Sequence, residues 1–361
     1  MSTKRVLSGV RPTGQLHIGN YRGAIKQFLD LQESGHECFY FVADLHALTE
    51  VTGPTDNDRL SVEVVKNYLA CGVDPARCVL YRQSHVPEIS EMALLLGNII
   101  TVSQLRRCTT YKGKVDDAVI EELKRRGMPE DEARKLVKEK DEHGDITPDE
   151  LNQISNRFSY GLLGYPVLMA SDILAVRADL VPVGADQKQH VEFARDYART
   201  FNRMFGRETF IVPELTEQST LTVPGIDGSP KMSKSEDNSV TLLEDLRSAR
   251  QKIMRMPTQA EPAGPKTQGT QNLYNMIELF CPEELANEFL RRYGNPKDKY
   301  FGEMKKRLAD CVVALLEPIQ AQYARISDDD VRGILEQGAK RVRPIAAQVL
   351  ADMQQAVGLR T

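Results

Sequence analysis

Short apolar runs alternate with segments of helical period through the first 110 residues, and this alternation constrains the fold more than any other feature. The runs at 6–8, 38–43 and 78–82 are typical of strands, and the helical segments between them end at Gly35 and Gly72. Strands that alternate with helices form βαβ units whose neighbouring strands run parallel. The pattern therefore predicts an α/β fold with a parallel sheet, in which ligands bind beyond the carboxyl ends of the strands.

The same alternation resumes after residue 156. Apolar and small residues at 165–174 predict a helix, and Leu180–Val183 predicts a strand. A helix should follow from about 190 to 205, and we predict a last strand at 210–212.

The second half of the chain becomes helical beyond Lys231, and a link rich in Pro, Gly and Gln at 256–271 marks a change of surroundings. We therefore predict three parts. Residues 1–225 form the α/β domain, residues 226–335 form an all-helical domain with the preceding loop, and residues 336–361 form a helix that packs back on the first domain.

Residues 113–156 break the α/β rhythm and are dominated by Glu, Lys, Asp and Arg. Apolar residues recur at helical spacing on both sides of the turn at 127–129, which predicts a pair of amphipathic helices. We interpret the segment as an insertion. Its charges are more typical of a solvated face than of a binding site.

Composition excludes several classes of protein. The net charge of −4 over 361 residues gives no overall attraction to nucleic acid, so such a partner would need a local basic patch. The apolar runs are too short to span a bilayer, and the N-terminus lacks the apolar core of a secretion signal, so we expect a cytoplasmic protein without membrane contact. The six cysteines form no C-x-x-C pair, and we therefore expect no zinc site and no iron–sulfur cluster.

Two short signatures carry the chemistry. Residues 12–20, with Pro12, Gly14, His17, Gly19 and Asn20, form a turn that opens a helix, where backbone N–H groups and the positive helix end attract phosphate. Residues 231–235 place two lysines three positions apart in a loop, and lysine acts as a mobile point charge toward phosphate. Each signature alone has an ordinary explanation, since glycine turns before helices and lysine-rich surface loops are both common.

Taken together and in this order, the signatures resemble the H-I-G-H and K-M-S-K-S motifs of class I aminoacyl-tRNA synthetases, with Asn20 in place of the final histidine. Within that class the chain is similar to the tryptophanyl branch along almost its whole length, on the runs 8–14, 19–21, 44–47, 165–174 and 181–190. The segment 113–156 is the main departure. The resemblance implies a Rossmann-like catalytic domain with a C-terminal all-helical domain that reads the anticodon.

The same resemblance implies site residues. Catalytic roles fall to His17, Asn20, Lys112, Lys231 and Lys234. ATP contacts fall to Arg11, Pro12, Thr13, Gly19, Asn20, Gly184, Ala185, Asp186, Val223, Lys231, Met232, Ser233, Lys234 and Ser235. The amino acid would contact His46, Tyr165, Met169, Asp172, Val181, Val183 and Gln187.

Met169 and Asp172 separate the two nearest substrates. They are three residues apart and so share a helix face. A carboxylate can accept the indole N–H of tryptophan while Met169 offers an apolar surface, whereas tyrosyl enzymes typically carry Gln at the position of Met169. The ordinary alternative is that Asp172 only caps or pairs locally.

The implied reaction joins L-tryptophan to ATP, releases pyrophosphate, and passes the activated amino acid to tRNA(Trp). Mg²⁺ would arrive with ATP, held by phosphates and water, without a protein metal site. We expect a homodimer. The best basic patch for tRNA is Arg291, Arg292, Lys297, Lys299, Lys305, Lys306 and Arg307, offset by Asp298 and Glu303. A solvated basic face without a partner explains the same cluster equally well.

Three alternatives stay open from sequence: an enzyme of the tyrosyl type, another nucleotidyltransferase with a similar phosphate turn, and a non-catalytic relative that binds tRNA or protein. The complete loop at 231–235 disfavours the second, and the presence of Lys231, Lys234 and Asp172 disfavours the third.

Overall fold

The computed structural model describes residues 3–12, 14–50, 53–140, 147–184, 187–217, 221–233, 236–260, 264–295 and 297–360. Within these residues five strands form one parallel sheet: β1 Arg5–Val10, β2 Glu37–Val42, β3 Cys78–Arg82, β4 Leu180–Val183 and β5 Glu214–Glu217. Their order is β3-β2-β1-β4-β5. The chain therefore leaves β1 toward one edge and returns on its other side at β4, which creates a switch point between these two strands.

Helices cover the sheet and continue beyond it. They are α1 Ile18–Asn20, α2 Lys26–Glu33, α3 Asp44–Ala47, α4 Asn57–Ala70, α5 Pro87–Gly97, α6 Val102–Arg106, α7 Thr109–Arg125, α8 Glu130–Lys140, α9 Pro148–Ser155, α10 Tyr160–Ala175, α11 Lys188–Phe205, α12 Leu246–Met254, α13 Gln268–Phe280, α14 Glu283–Arg292, α15 Phe301–Tyr323 and α16 Asp328–Ala356. A π-helical turn, Tyr21–Ile25, joins α1 to α2. The α/β fold with a parallel sheet and a helical C-terminal half is confirmed.

Alternate residues of the strands face two separate cores, as expected for a sheet that is buried on both sides. Val6 and Tyr40 pack on one face with α4 and the helices α12–α15. Leu7 and Phe39 pack on the other face with α5, α10 and α11. The helical half therefore shares a core with the sheet.

The last strand differs from the prediction, and residues 210–212 are not part of the sheet. The side chain of Asn202 accepts from the N–H groups of Thr209 and Phe210 and donates to the carbonyl of Phe210 at 2.8–3.1 Å. These backbone groups are therefore satisfied without a ladder, and Phe210 turns into the core against Phe201. The pairing with β4 begins at Glu214 instead.

The charged segment 113–156 contains most of α7 and the whole of α8 and α9. α7 and α8 lie on either side of the turn at 127–129, as predicted, whereas α9 is a third helix that the prediction of a pair did not include. Its apolar residues build a small core of their own that includes Val119, Leu123 and Val137. This core continues onto Cys108 and Tyr165, so the segment packs against the start of α10.

The C-terminal helix α16 begins at Asp328, before residue 336, and packs on β3, α4, α5 and α10. At Gly338 the backbone of α16 lies against β3, since a β-carbon at this position would lie 1.7 Å from the carbonyl oxygen of Leu80. The helix therefore rests directly on the strand.

Within the described residues no single helix is long and apolar enough to cross a membrane, although helices 149–155 and 160–175, bent by 64°, pass on length and composition when counted together.

Candidate active site

The carboxyl ends of β1 and β4 meet at the switch point of the sheet, and both lead into predicted site residues. The loop after β1 reaches His17 and Asn20, and β4 leads into Gly184 and Gln187. Backbone N–H groups and helix starts face a common crevice at such a point. The fold therefore directs two distant parts of the sequence to one place.

His17 and Asn20 cap α1 reciprocally. The N–H of Asn20 donates to Nδ1 of His17 at 3.3 Å, and the N–H of His17 donates to Oδ1 of Asn20 at 3.0 Å. Because Nδ1 is an acceptor in this arrangement, the proton of the neutral imidazole lies on Nε2. Gly19 belongs to the same turn, where a β-carbon would lie 2.7 Å from Nδ1 of His17.

The turn at His17 is held by residues that follow the second signature. Ile18 donates its N–H to the carbonyl of Val240 at 2.9 Å, and His17 pairs with Thr241 in an antiparallel bridge. The first signature is thus joined by backbone contacts to the segment that follows the second.

A cleft of about 290 Å³ opens between the signatures. It is lined by His17, Gly19, Asn20, Gly23, Leu221, Thr222, Val223, Lys231 and Met232. The buried side chain of Met232 anchors the loop, and the exposed side chain of Lys231 faces solvent. Six of the predicted ATP or catalytic residues meet in this one cleft.

Other predicted ATP residues surround the switch point. Arg11 is exposed directly after β1. Burial raises the pKa of Tyr165, and the positive charge of Arg11 opposes this increase. Pro12, the next residue, is buried. After β4, the carbonyl of Gly184 accepts a hydrogen bond from the backbone N–H of Gln187 at 2.9 Å. The predicted residues Thr13, Ala185, Asp186, Lys234 and Ser235 lie outside the described residues.

Lys112 is not one of the side chains that line the cleft. It is exposed in the first turn of α7, where its N–H donates to the carbonyl of Cys108 at 2.9 Å. Its approach to phosphate stays a prediction.

Asp172 lies buried on α10, at the centre of a second group of predicted residues. Nε2 of His46 is 2.9 Å from its Oδ2, and the side-chain amide of Gln83 donates to both carboxylate oxygens at 2.8 and 2.9 Å. Burial raises the pKa of Asp172, and the hydrogen bonds of His46 and Gln83 act in the opposite direction. The hydroxyl of Tyr81 is also buried beside this group without a hydrogen-bond partner in the described chain.

Asp44 supports this group from the start of α3, the short helix that carries His46. It is buried and pairs with Arg82 at 2.5 Å. Arg82 also binds Asp58 at 2.7 Å, which in turn binds Arg332 of α16 at 2.8 Å. A chain of ion pairs therefore runs from the C-terminal helix to the helix of His46.

Tyr165 belongs to a buried hydrogen-bonded row. Oε1 of Gln187 lies 2.8 Å from Nδ1 of His190, whose Nε2 contacts the Tyr165 hydroxyl, and the thiol of Cys108 lies 3.0 Å from the same hydroxyl. Nδ1 then donates to Gln187 and Nε2 accepts from Tyr165. Burial raises the pKa of Tyr165, which keeps its hydroxyl protonated as this donor.

Met169, Val181 and Val183 pack on the same side of the sheet. The two valines are two residues apart on β4 and so face the same way, toward α10, which carries Met169. These apolar side chains share one core with the helix that carries Asp172.

The basic patch on the helical half is smaller than its sequence indicates. Arg292 pairs with Asp298, Glu303 and Glu288 at 2.8, 2.8 and 3.5 Å. Arg291, Lys297, Lys299, Lys306 and Arg307 are exposed, and Lys305 is half-buried, with its pKa lowered by burial. Arg292 is therefore committed to internal ion pairs.

No cluster of three or more His, Cys, Asp or Glu side chains in the described part of the chain is arranged to hold a metal ion.

The sequence profile of the family tRNA synthetases class I (W and Y) matches residues 2–127 and 137–324. The tryptophan–tRNA ligase of Porphyromonas gingivalis is 37% identical over 98% of this chain and 99% of its own length. That of Rhodopirellula baltica is 37% identical over 99% of this chain and 100% of its own. The chain belongs to the tryptophan–tRNA ligase family of class I synthetases.

Solved structures agree with this placement. The tryptophanyl-tRNA synthetase of Campylobacter jejuni, determined with ADP and tryptophan, is 30% identical, with a TM-score of 0.76 over 98% of this chain and 99% of its own. The profile leaves out only 128–136 within the charged segment of this synthetase. The predicted family and the Rossmann-like fold class are confirmed.

Several side chains of the site of this synthetase escaped sequence reasoning. Gln83 follows β3, so its place at the carboxyl edge of the sheet was an available signal. His190 ends the run 181–190 that resembles the family, and this place in the run is the signal that indicates it. Cys108 carries no periodic or motif signal, and only its contacts with Tyr165 and His190 reveal it.

Proposed function

We propose that this synthetase activates L-tryptophan with ATP and transfers it to tRNA(Trp). The observation that carries the proposal is the cleft between the two signatures, where His17 and Lys231 meet. Family membership at 37% identity over nearly the whole chain supports the same reaction.

In the first step the tryptophan carboxylate attacks the α-phosphorus of ATP and pyrophosphate leaves. No side-chain nucleophile is needed, so the protein contributes orientation and charge stabilisation. We assign this work to the Nε2–H of His17, to Asn20 and to the ammonium groups of Lys231 and Lys234. Negative charge gathers on the departing pyrophosphate, and a flexible lysine can follow it.

The remaining ATP contacts are proposed on the same basis. Gly19 and Val223 line the cleft that the base and ribose would enter, and Met232 anchors the loop beside them. We assign the other ATP contacts to Arg11, Pro12, Thr13, Gly184, Ala185, Asp186, Ser233 and Ser235, and a phosphate contact to Lys112.

Tryptophan specificity is assigned to Asp172. Its carboxylate would accept the indole N–H, with Met169, Val181 and Val183 around the ring and with His46 holding the carboxylate. Gln187 and Tyr165 would orient the amino acid. A tyrosine hydroxyl both donates and accepts, and neither the Asp172 carboxylate nor Met169 offers it a donor.

Magnesium is proposed to enter with ATP. The described residues offer no set of carboxylates for it, and Mg²⁺ characteristically keeps waters and substrate phosphates as ligands. When bound, it would neutralise phosphate charge.

For the second step we propose that a ribose hydroxyl of the terminal tRNA adenosine attacks the carbonyl of tryptophanyl-adenylate, which breaks its bond to the phosphate and releases AMP. Phosphates of the tRNA would contact Arg291, Lys297, Lys299, Lys305, Lys306 and Arg307, which surround the neutralised Arg292. Because aminoacyl-tRNA is consumed in translation, we place the reaction in the cytoplasm.

We also propose a homodimer. An apolar groove of about 340 Å³ between α3, α5 and α10 is bordered by Leu48, Leu94 and Tyr160, which are exposed by 48, 67 and 77%. Exposed apolar groups that gather in this way are typical of interfaces. Leu94→Lys should shift the mass measured by light scattering to that of a monomer, whereas Leu359→Lys, at another exposed leucine, should not.

Tryptophan-dependent ATP–pyrophosphate exchange tests the proposed reaction. We expect exchange with tryptophan and none with tyrosine, and a large loss in Lys231→Ala. Absence of exchange in folded protein would exclude the synthetase activity. Exchange stimulated by tyrosine alone would change the assigned substrate from tryptophan to tyrosine.

A further inference from the structure

Asn238 follows the second signature and is completely buried. Its Oδ1 accepts from the N–H of Ser233 at 2.7 Å, and its Nδ2 lies 3.1 Å from the carbonyl of Lys231 and 2.7 Å from Oγ of Ser229. One carboxamide therefore holds the backbone on both sides of Met232. We call Asn238, Ser229 and their contacts the loop clamp.

The loop clamp is tied to the helical half of the chain. Asn272 of α13, also completely buried, donates to the carbonyls of Gly225 and Ser229 at 3.0 and 2.7 Å. The backbone carbonyl of Asn238 accepts from the N–H of Ile226 at 3.0 Å. The base of the lysine loop is thus fixed from two directions.

The loop clamp also reaches the first signature. Two residues beyond Asn238, the carbonyl of Val240 accepts from the N–H of Ile18 at 2.9 Å, and Thr241 pairs with His17. The segment that holds the lysine loop is therefore also bonded to the turn that carries His17.

The chemistry of the clamp requires a carboxamide. Asparagine offers an acceptor toward Ser233 and donors toward Lys231 and Ser229 in one plane. Aspartate would offer acceptors on both sides, and an apolar residue would leave buried backbone groups without partners. Gly225 leaves the necessary space, since a β-carbon there would lie 2.1 Å from Oγ of Ser229 and 2.7 Å from Nδ2 of Asn238.

We propose that Asn238 is a positioning residue for the activation step. It holds the backbone on both sides of Met232 and so sets the point from which the flexible Lys231 side chain reaches the departing pyrophosphate, while Ser229 and Asn272 link that point to α13. The inference rests on the proposed function. Asn238 itself lies beneath the loop and acts on ATP only through the backbone that it holds.

The test compares Asn238→Asp with wild type in tryptophan-dependent ATP–pyrophosphate exchange. A displacement of about 1 Å at a reacting group can reduce a rate about 100-fold, so we expect kcat to fall by about that factor. The tryptophan KM should stay unchanged, because the pocket of Asp172 is held by other residues. The matched control is Asn67→Asp, a buried amide of α4 that donates to the carbonyl of Glu63, which should lose stability without losing kcat.

A double-mutant cycle with Lys231→Ala separates positioning from a general structural role. If Asn238 acts through Lys231, the double variant should lose no more activity than the more impaired single variant. If Asn238→Asp does not fold, Asn272→Ser replaces it in the same experiment, because this substitution removes the hydrogen bonds from α13 to Gly225 and Ser229. We then expect a smaller loss of kcat.

Two results would overturn the inference while leaving the proposed function in place: wild-type kcat in Asn238→Asp, or losses from Asn238→Asp and Lys231→Ala that simply multiply. A wild-type protein without tryptophan-dependent exchange would instead overturn the proposed function itself.

Discussion

Nε2 of His46 lies 2.9 Å from Oδ2 of Asp172, and both side chains are buried. Gln83 binds the same carboxylate from the end of β3. A buried carboxylate is unfavourable unless it is hydrogen-bonded, and here neighbouring groups satisfy it from two other elements. Asp172 is thereby held in one orientation as an acceptor, which is the requirement for recognising an indole N–H.

Replacement of Asp172 by Ala should weaken tryptophan binding. A hydrogen bond to a charged group contributes about 1.5–3 kcal/mol, so the tryptophan KM in pyrophosphate exchange should rise about 10- to 100-fold. Ser171→Ala is the control, because the Ser171 hydroxyl donates to the carbonyl of Val167 within its own helix α10. An unchanged tryptophan KM in Asp172→Ala would remove this residue from the pocket.

Tryptophan binding should depend on pH through Asp172. Burial raises the pKa of this carboxyl above its ordinary value, so the carboxylate is lost as the pH falls through that raised pKa. The tryptophan KM should therefore rise on acidification, and Asp172→Asn should flatten the profile. A wild-type profile that stays parallel to that of Asp172→Asn would contradict this assignment.

The effect of the same group on stability has the opposite sign. Between its unfolded and folded pKa values the folded state binds more protons, so this contribution to stability rises as the pH falls. Acid should thus weaken tryptophan binding without a matching loss of stability from Asp172.

Two buried tyrosines should respond differently to loss of the hydroxyl. Tyr165→Phe removes the donor to Nε2 of His190, and the Cys108 thiol, 3.4 Å away, is only a weak substitute. We expect the free energy of unfolding to fall by about 1–3 kcal/mol. Tyr197→Phe should change it little, because the buried Tyr197 hydroxyl has no partner among the described residues. Equal losses in urea denaturation would show that the row around His190 contributes nothing.

Two glycines of α16 form a matched pair for the docking of this helix. Gly338→Ala would place a β-carbon 1.7 Å from the carbonyl oxygen of Leu80, so we expect it to destabilise the protein by about 1–3 kcal/mol or more. Gly333→Ala meets nothing within 4 Å and should stabilise by up to about 1 kcal/mol, since alanine favours helix. Thermal unfolding of both variants measures the difference, and a neutral Gly338→Ala would mean that α16 does not rest on β3.

The basic patch should affect tRNA charging and leave amino-acid activation unchanged. Lys306→Ala and Arg307→Ala each remove an exposed charge, so tRNA affinity should fall, and its salt slope should decrease by about 1 for each phosphate that the variant no longer neutralises. Lys340→Ala, exposed on the helix that packs on the sheet, is the control. Pyrophosphate exchange should be normal in all three. Unchanged tRNA affinity in the patch variants would exclude this surface.

The sequence by itself determined the class of fold and the family. Local periodicity predicted β3 and β4 to the residue, and the two signatures indicated the class of enzyme, because these features depend on neighbours in the chain. Local periodicity was wrong at 210–212, where the apolar residues predict a strand. There the side chain of Asn202 accepts hydrogen bonds from the backbone N–H groups of Thr209 and Phe210 instead.

Only the tertiary structure decided which side chains act together. Gln83 reaches Asp172 across 89 positions of sequence, Asn272 reaches Gly225 across 47, and Arg292 is withdrawn from the basic patch by three carboxylates. Such hydrogen bonds and ion pairs require precise distances between separate elements. The packing of helices on the sheet sets those distances, and no pattern along the chain encodes them.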